Sequence, residues 1–249
     1  MYQKERLDTL LNFIQKNGYV TTKNLVKEFH YSTASVNRDL NVLQKQGHIV
    51  RSYGGVEIVQ KKYAPYKFRQ HKMREEKRRI SKKACELVKD GETIFIDAST
   101  TTDYMADYLT SKKNITVITN NTYLSMQLSL AGIKVICLGG RVCEAPYFLG
   151  GDITIENALK YGADKTFFST SMFTDDGRIG CGHTWRSFYI ATHSNSKETY
   201  YLAASDKITP KSDIKLFLFD FDQLTGVISD YEFSDEVKHK YPDTHFIKV

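Results

Sequence analysis

The sequence predicts an α/β protein in two parts: a small N-terminal helical module closed by a hairpin, then a larger Rossmann-like, mostly parallel α/β domain. Three observations carry this. Apolar residues recur at helical spacing up to Leu43, then give way to a strand, a Gly-Gly pair and a second strand. From residue 91 onward, short β-rich apolar runs alternate with helical stretches. Between the two parts, residues 61–80 carry nine Lys and Arg against Glu75 and Glu76.

The first module reads element by element. Leu7, Leu10, Leu11 and Ile14 follow i, i+3, i+4, i+7, one face of a helix that Asn17-Gly18 stops. Thr21 or Thr22 caps a short second helix carrying Leu25, Val26 and Phe29. Ser32 starts a third helix, which packs through Val36, Leu40 and Leu43. Its opposite side carries Ala34, Arg38, Asn41 and Lys45, flanked by Asn37, and Gly47 ends it. "HIVRSYGGVEIV" then alternates around Tyr53-Gly54-Gly55 as a hairpin. This order is a winged helix-turn-helix, whose second helix of the pair enters the major groove. Arg and Asn are the side chains that pair with guanine and adenine edges.

Charge agrees. Net charge is +6, but residues 1–80 hold 17 Lys+Arg against 7 Asp+Glu, and the remainder is mildly acidic. A basic module on a near-neutral partner is the footprint of nucleic-acid binding. The residues expected against double-stranded DNA are Thr22 at the second helix, and Ser32, Thr33, Ala34 and Ser35 at the start of the third. Asn37, Arg38, Asn41 and Lys45 follow on its outer face, with Arg51, Tyr53 and Gly54 in the wing.

Here a resemblance becomes specific. "STASVNRDLNVLQKQGHIVRSYGG" resembles the signature of the DeoR family of bacterial transcriptional regulators. Ser32, Arg38, Asp39, Leu40, Leu43, Gly47, Arg51, Tyr53, Gly54 and Gly55 carry the match, and Asn37 stands where the signature has arginine.

The expected domains are 3–58 for the winged helix-turn-helix, 59–74 for a basic linker and 75–249 for the larger domain. In the last, strands are expected at 93–98, 115–119, 134–140, 165–171, 199–205 and 214–219. Helices are expected at 101–111, 122–131, 152–161 and 185–196. Near-continuous apolar strands between helices argue for a parallel sheet covered on both faces. Ligands on such sheets sit outside the strand C-termini. "FIDASTTT" places Asp97, Ser99, Thr100 and Thr101 there, "VITNN" places Thr119 and Asn120, and "LGGRV" places Gly139, Gly140 and Arg141. Hydroxyls and free N–H groups at a helix start suit a phosphate or carboxylate, although the same residues also cap helices.

The resemblance extends over these segments and "ASDK", which adds Lys207. It implies an effector-sensing and oligomerisation domain similar in fold to ribose-phosphate isomerases and CoA transferases. It also implies a phosphorylated sugar or related metabolite as effector. Ser99 stands at the family's glycine position, and Ala204 where the family has an acid.

The expected function is a DNA-binding transcriptional regulator, a repressor of sugar-metabolism genes, acting as a homodimer or higher even oligomer on a DNA operator. An isomerase-like sugar-phosphate enzyme fused to a basic module is the alternative. A third reading is an architectural DNA-binding protein whose large domain only oligomerises. No P-loop, zinc-protease or nucleophile-elbow motif occurs, and no cofactor or metal is expected. Cys85, Cys137, Cys143 and Cys181 contain no C-x-x-C pair and read as reduced thiols of a cytoplasmic protein. No apolar run approaches the ~18 residues of a membrane span.

Overall fold

The computed structural model describes residues 3–17, 19–45, 48–52, 54–58, 66–144 and 147–249. The chain divides into two compact units, Met1–Pro65 and Tyr66–Val249.

The first unit runs α1 (Gln3–Asn17), β1 (Tyr19–Thr21), α2 (Thr22–Phe29), α3 (Thr33–Lys45), β2 (Ile49–Ser52) and β3 (Gly55–Ile58). Leu10, Ile14, Leu25, Val36, Leu40 and Leu43 meet Val20, Ile49 and Val56 in one apolar core. Thr21 caps α2 by accepting from the Asn24 N–H (3.1 Å). His30, in the left-handed region at φ 53°, ends α2 and turns the chain toward α3. The Ser32 hydroxyl accepts from the Ser35 N–H (3.2 Å) and opens α3. The Asp39 carboxylate is fully buried on the inner side of α3 and receives both the Nε and NH2 groups of Arg6, so α1 and α3 are tied by a fork.

The segment between α1 and α2 adds a strand to the hairpin. The sheet order is β1-β3-β2, antiparallel throughout. Gly55 is required by that added strand: a Cβ there would lie 2.5 Å from the Tyr19 hydroxyl and 2.7 Å from the Val20 carbonyl. Tyr53 lies outside the described residues.

The second unit opens with α4 (Tyr66–His71) and α5 (Arg74–Glu86), so residues 66–74 of the expected linker are helix and turn. Then come β4 (Thr93–Ile96), a 3₁₀ turn over Thr102–Met105, α6 (Ala106–Leu109), β5 (Thr116–Thr119), α7 (Thr122–Leu130), β6 (Lys134–Cys137), β7 (Arg141–Glu144) and β8 (Phe148–Gly150). They are followed by α8 (Asp152–Ala158), β9 (Ala163–Phe168), β10 (Met172–Phe173), β11 (Arg178–Gly180), α9 (His183–Ser194) and β12 (Ser196–Ala203). The chain ends with β13 (Phe217–Asp220), β14 (Gly226–Ser229), α10 (Asp235–Lys240) and β15 (His245–Lys248).

Seven strands form one sheet in the order β15-β14-β12-β9-β4-β5-β6, and every neighbouring pair is parallel. Side chains alternate between two cores. Ile94, Ile96, Val117, Phe167, Leu202 and Ile228 join Ile80, Ala84 and Leu124 on one face. Phe95 and Ile118 join Ala158, Phe188 and Ala191 on the other, and Phe168, Tyr201 and Val227 extend that side with Phe219 and Phe221. Both faces are covered, which is why the strands read as continuous apolar runs.

Two expectations are corrected. The run at 214–219 forms β13, which leaves the parallel sheet and pairs antiparallel with β11, in a small sheet ordered β10-β11-β13. The parallel positions go instead to β14 and β15, four-residue strands whose apolar content is too short to stand out. The helix expected over 101–111 is a 3₁₀ turn followed by one short α turn, because Thr102 hydrogen-bonds back into the loop that precedes it.

Candidate functional sites

On the first unit, Ser32, Thr33, Ala34, Arg38, Asn41 and Lys45 are exposed along α3. Asn37 is half-buried, its amide donating to the Thr33 carbonyl (3.0 Å). Ser35 shares its hydroxyl with Ser32 (2.9 Å). Thr22 opens α2 with its N–H on the Gly54 carbonyl (3.1 Å), which fastens the wing turn to the helix pair. Gly54 adopts φ 76° there. Arg51, on β2, reaches back over α3 and donates to Asn37 and Asn41. Helix and wing thus share one polar surface.

On the second unit, the loop after β4 is the centre of a strand-edge cluster. The Thr102 hydroxyl donates to the Asp97 carboxylate (2.8 Å), and the Ser99 hydroxyl bonds both Thr102 Oγ1 (2.8 Å) and the Thr102 N–H (3.1 Å). The second Asp97 oxygen accepts from the Ser169 N–H (3.3 Å) and the Tyr189 hydroxyl (3.1 Å). Lys207 closes the cluster from the turn after β12, donating to Thr101 Oγ1 (2.8 Å) and Ser169 Oγ (2.6 Å). That turn is pinned by Ser205, whose N–H (2.8 Å) and hydroxyl (2.6 Å) both bond Asp230. Lys77, on α5, is buried and donates to Thr100 Oγ1 (3.2 Å) and to the Arg69 carbonyl on α4.

These ammonium groups bond hydroxyls and a carbonyl, and burial acts on both. Loss of solvation, with the neighbouring Lys77 charge, holds Lys207 down to about 7. Loss of solvation holds Lys77 down to about 8, against the pull of Asp206. Burial pushes Asp97 up to about 6, against its hydrogen bonds from Thr102 and Ser169.

The other expected residues sit around this centre. Thr119 is buried and accepts from the Asn121 N–H (3.1 Å). Asn120 donates its amide to the Leu149 carbonyl (3.0 Å), and its Oδ1 is buried with no hydrogen bond among the described residues. Tyr66 Oη, on α4, is in the same condition, its ring packed at 5.4 Å against Phe148. Gly139 and Gly140 lie at the far side of the sheet edge. There Thr154 bonds the Gly139 carbonyl (2.6 Å), and a Cβ on Gly140 would fall 2.1 Å from Thr154 Oγ1. Arg141 is exposed on β7, paired in register with Gly150. The hydrogen-bonded centre therefore gathers Asp97, Ser99, Thr100, Thr101 and Lys207. Thr119 and Asn120 bond to the neighbouring loops, and the glycine pair and Arg141 pack against α8 and β8.

Lys77, Ser169 and Tyr189 were not singled out from sequence. Lys77 carried a signal, because it falls on the apolar face of α5 with Ile80, Ser81 and Ala84, where lysine is out of place. Asp103 accepts from the Asn121 amide (2.6 Å) while Asn121 Oδ1 caps α7. Asp103 is buried, and that burial pushes its carboxyl up to about 8. Ser169 and Tyr189 carried no local signal. Among the described residues no His, Cys, Asp or Glu group could hold a metal ion, and no helix is long and apolar enough to cross a membrane.

A basic helix-and-wing unit joined to a parallel α/β unit with a cation-bearing strand edge defines a DNA-binding regulator with a sensor domain. The chain belongs to the DeoR family: residues 6–62 match the DeoR-like helix-turn-helix domain, and residues 72–231 match the DeoR C terminal sensor domain. It is a transcriptional regulator rather than an enzyme.

The HTH-type transcriptional repressor GlcR of Bacillus subtilis is 34% identical over 180 residues, 71% of this chain and 69% of that protein. The glycerol-3-phosphate regulon repressor of Escherichia coli is 29% identical over 181 residues, 72% of each chain. The lactose phosphotransferase system repressor of Staphylococcus aureus is 28% identical over 244 residues, 96% of each. Among solved structures, the ribose 5-phosphate isomerase from Plasmodium falciparum is similar at a TM-score of 0.39 and 14% identity, over 53% of this chain and 52% of that one.

Proposed function

We propose that this protein represses sugar-metabolism genes, and that a phosphorylated sugar or related metabolite modulates its hold on operator DNA. Repressors of sugar and glycerol-phosphate regulons are among its relatives, and this supports the reading. The observation that carries it is the pair of ammonium groups, those of buried Lys77 and half-buried Lys207, on the hydroxyls of one loop. Two desolvated cations bonded to neutral oxygens make a site that an anion would complete. Thr100, Thr101 and Ser169 supply hydroxyls beside them.

The helix and wing take the operator. Ser32, Thr33, Ala34, Ser35, Asn37, Arg38, Asn41 and Lys45 belong to the reading helix, Thr22, Arg51 and Gly54 flank it, and Tyr53 is a further DNA contact by its place in the sequence. Residues 59–65 link the DNA-binding unit to the sensor unit, which begins at Tyr66, and the basic stretch 59–74 adds phosphate contacts. A helix-turn-helix that reads a palindrome needs two copies about one helical turn apart, so the working form is a homodimer or higher even oligomer.

The test begins with an operator selected from a random duplex library. Fluorescence anisotropy then follows its release against a panel of pentose, hexose and triose phosphates. One ligand should shift DNA affinity, and Lys207→Met should abolish that shift while DNA binding persists. Failure of every phosphorylated ligand to alter DNA affinity would sink the effector assignment. Sedimentation that shows only monomer at micromolar concentration, with and without DNA, would sink the assembly.

A further inference from the structure

Asn37 and Asn41 stand one turn apart on α3, and the side-chain carbonyls of both accept from one residue. Arg51 of β2 donates through NH1 to Asn41 Oδ1 (2.8 Å) and through NH2 to Asn37 Oδ1. Asn37 is also engaged at its other end, where Nδ2 donates to the Thr33 carbonyl (3.0 Å). An asparagine that reads adenine uses its oxygen and nitrogen together, on N6 and N7. Asn37 has one lone pair and one N–H left for that, on an amide already held at both ends.

Arginine is placed differently. A guanidinium has five N–H donors, of which the asparagines take two. We propose that Arg51 is a base-reading residue of this protein, and that Asn37 and Asn41 are positioning residues that hold its guanidinium on the outer face of the recognition helix. This rests on the DNA-binding reading above.

The place of the guanidinium supports a base contact. It is bonded over positions 37 and 41, the side of α3 that also carries exposed Ala34, Arg38 and Lys45. An arginine that only neutralises a phosphate works from many rotamers and needs no brace. Two amide bonds order the side chain during folding, so that cost does not fall on association. A fixed planar fork suits a paired acceptor, and in the major groove that acceptor is guanine O6 with N7. The wing thereby supplies the recognition helix with a second arginine beside Arg38.

The test is selection from a random-sequence duplex library with the full chain. It compares wild type, Arg51→Ala, Arg51→Lys and the double variant Asn37→Ala/Asn41→Ala, with unfolding midpoints measured alongside. Wild type should enrich guanine at a defined position. Arg51→Ala and Arg51→Lys should lose discrimination there by roughly 5- to 150-fold and keep it elsewhere. The double variant should lose most of the same discrimination with Arg51 still present and its unfolding midpoint held, which a merely structural role would not produce.

Two results would overturn the proposal. One is an Arg51→Ala variant that weakens every sequence alike and lowers the salt slope by about 0.9, the signature of a phosphate contact. The other is a double variant that keeps the guanine preference. Should wild type enrich no sequence at all, the DNA-reading assignment itself fails, an outcome distinct from either of these.

Discussion

The ammonium of Lys207 donates to the hydroxyl of Thr101 across a 2.8 Å hydrogen bond, between residues 106 positions apart in the chain. It joins the loop after β4 to the turn after β12, two strands separated in the sheet by β9. That bond sets the first expectation.

Anion binding at this edge should weaken as pH rises. Lys207 loses its proton at about 7 and Lys77 at about 8. Sulfate keeps its charge across this window, so its affinity, measured by calorimetry from pH 6 to 9, reports the protein alone. Affinity should fall through pH 7–8, and Lys207→Met should remove the lower part of the fall. Stability runs the other way. A lysine whose folded value lies below its unfolded value of about 10.5 leaves the unfolded chain holding more protons, so its contribution rises with pH between about 7 and 10.5. Wild type minus Lys207→Met in urea midpoint should show that rise.

Asp103 gives the opposite sign. Its folded value of about 8 lies above the ordinary carboxylate range, so stability is lost as pH rises from about 4 through 8. Asp103→Asn keeps an oxygen for the Asn121 amide and carries no charge. It should match wild type near pH 4 and exceed it by a growing margin up to pH 8–9 in urea unfolding. Asp103→Ala should lie about 1–3 kcal/mol below Asp103→Asn at either pH, because Asn121 is left with a buried donor. An Asp103→Asn variant that is weaker at pH 9 would show that the ionised form is the one the fold requires.

Ala204→Asp should fail to restore an acid to the site. The Ala204 side chain is fully buried in the apolar core with Leu202 and Ile228. A carboxyl there is desolvated among methyl groups and should cost about 2–5 kcal/mol in chemical denaturation. A variant of wild-type stability that also gained sugar selectivity would contradict this placement.

Gly55→Ala should loosen the wing. Its Cβ would press on the Tyr19 side chain and, less yieldingly, on the Val20 backbone carbonyl at 2.7 Å. The expected loss is about 1–3 kcal/mol in the first unit's stability, with weaker DNA binding following from it. Hydrogen exchange on β1 and β3 would register it, and unchanged protection would refute it.

The helix-turn-helix was legible because every element of it is local. Apolar spacing gave α1 and α3, and Ser32 and the Gly-Gly pair supplied their own punctuation. What was not legible was the outward side of that surface, since whether the Asn37 side-chain oxygen is a free acceptor depends on a partner on another element, Arg51. In the sensor unit, the order of strands and loops could be read because β4, β5, β9 and β12 are apolar runs. β13 is just as apolar, and only its antiparallel partner, β11, takes it out of the main sheet. The strand-edge loop was visible as a string of hydroxyls. Its cations were only half visible: Lys207 lay in a recognisable motif, whereas Lys77 reaches the site from a helix that reads as part of a charged tract.

The parallel sheet has a kinetic consequence. None of its neighbouring pairs can close as a hairpin, and central β9 must pair with β4 across three intervening α-helices, α6, α7 and α8, Ile94 meeting Lys165. The first unit closes through the β2–β3 hairpin and sequential helices. Low sequence separation makes such contacts fast, and distant parallel pairings make the sheet slow. Because the N-terminal unit also leaves the ribosome first, a nascent chain should present a folded reading helix before it possesses a sensor. For that interval the protein is a DNA-binding module with no effector site to answer to.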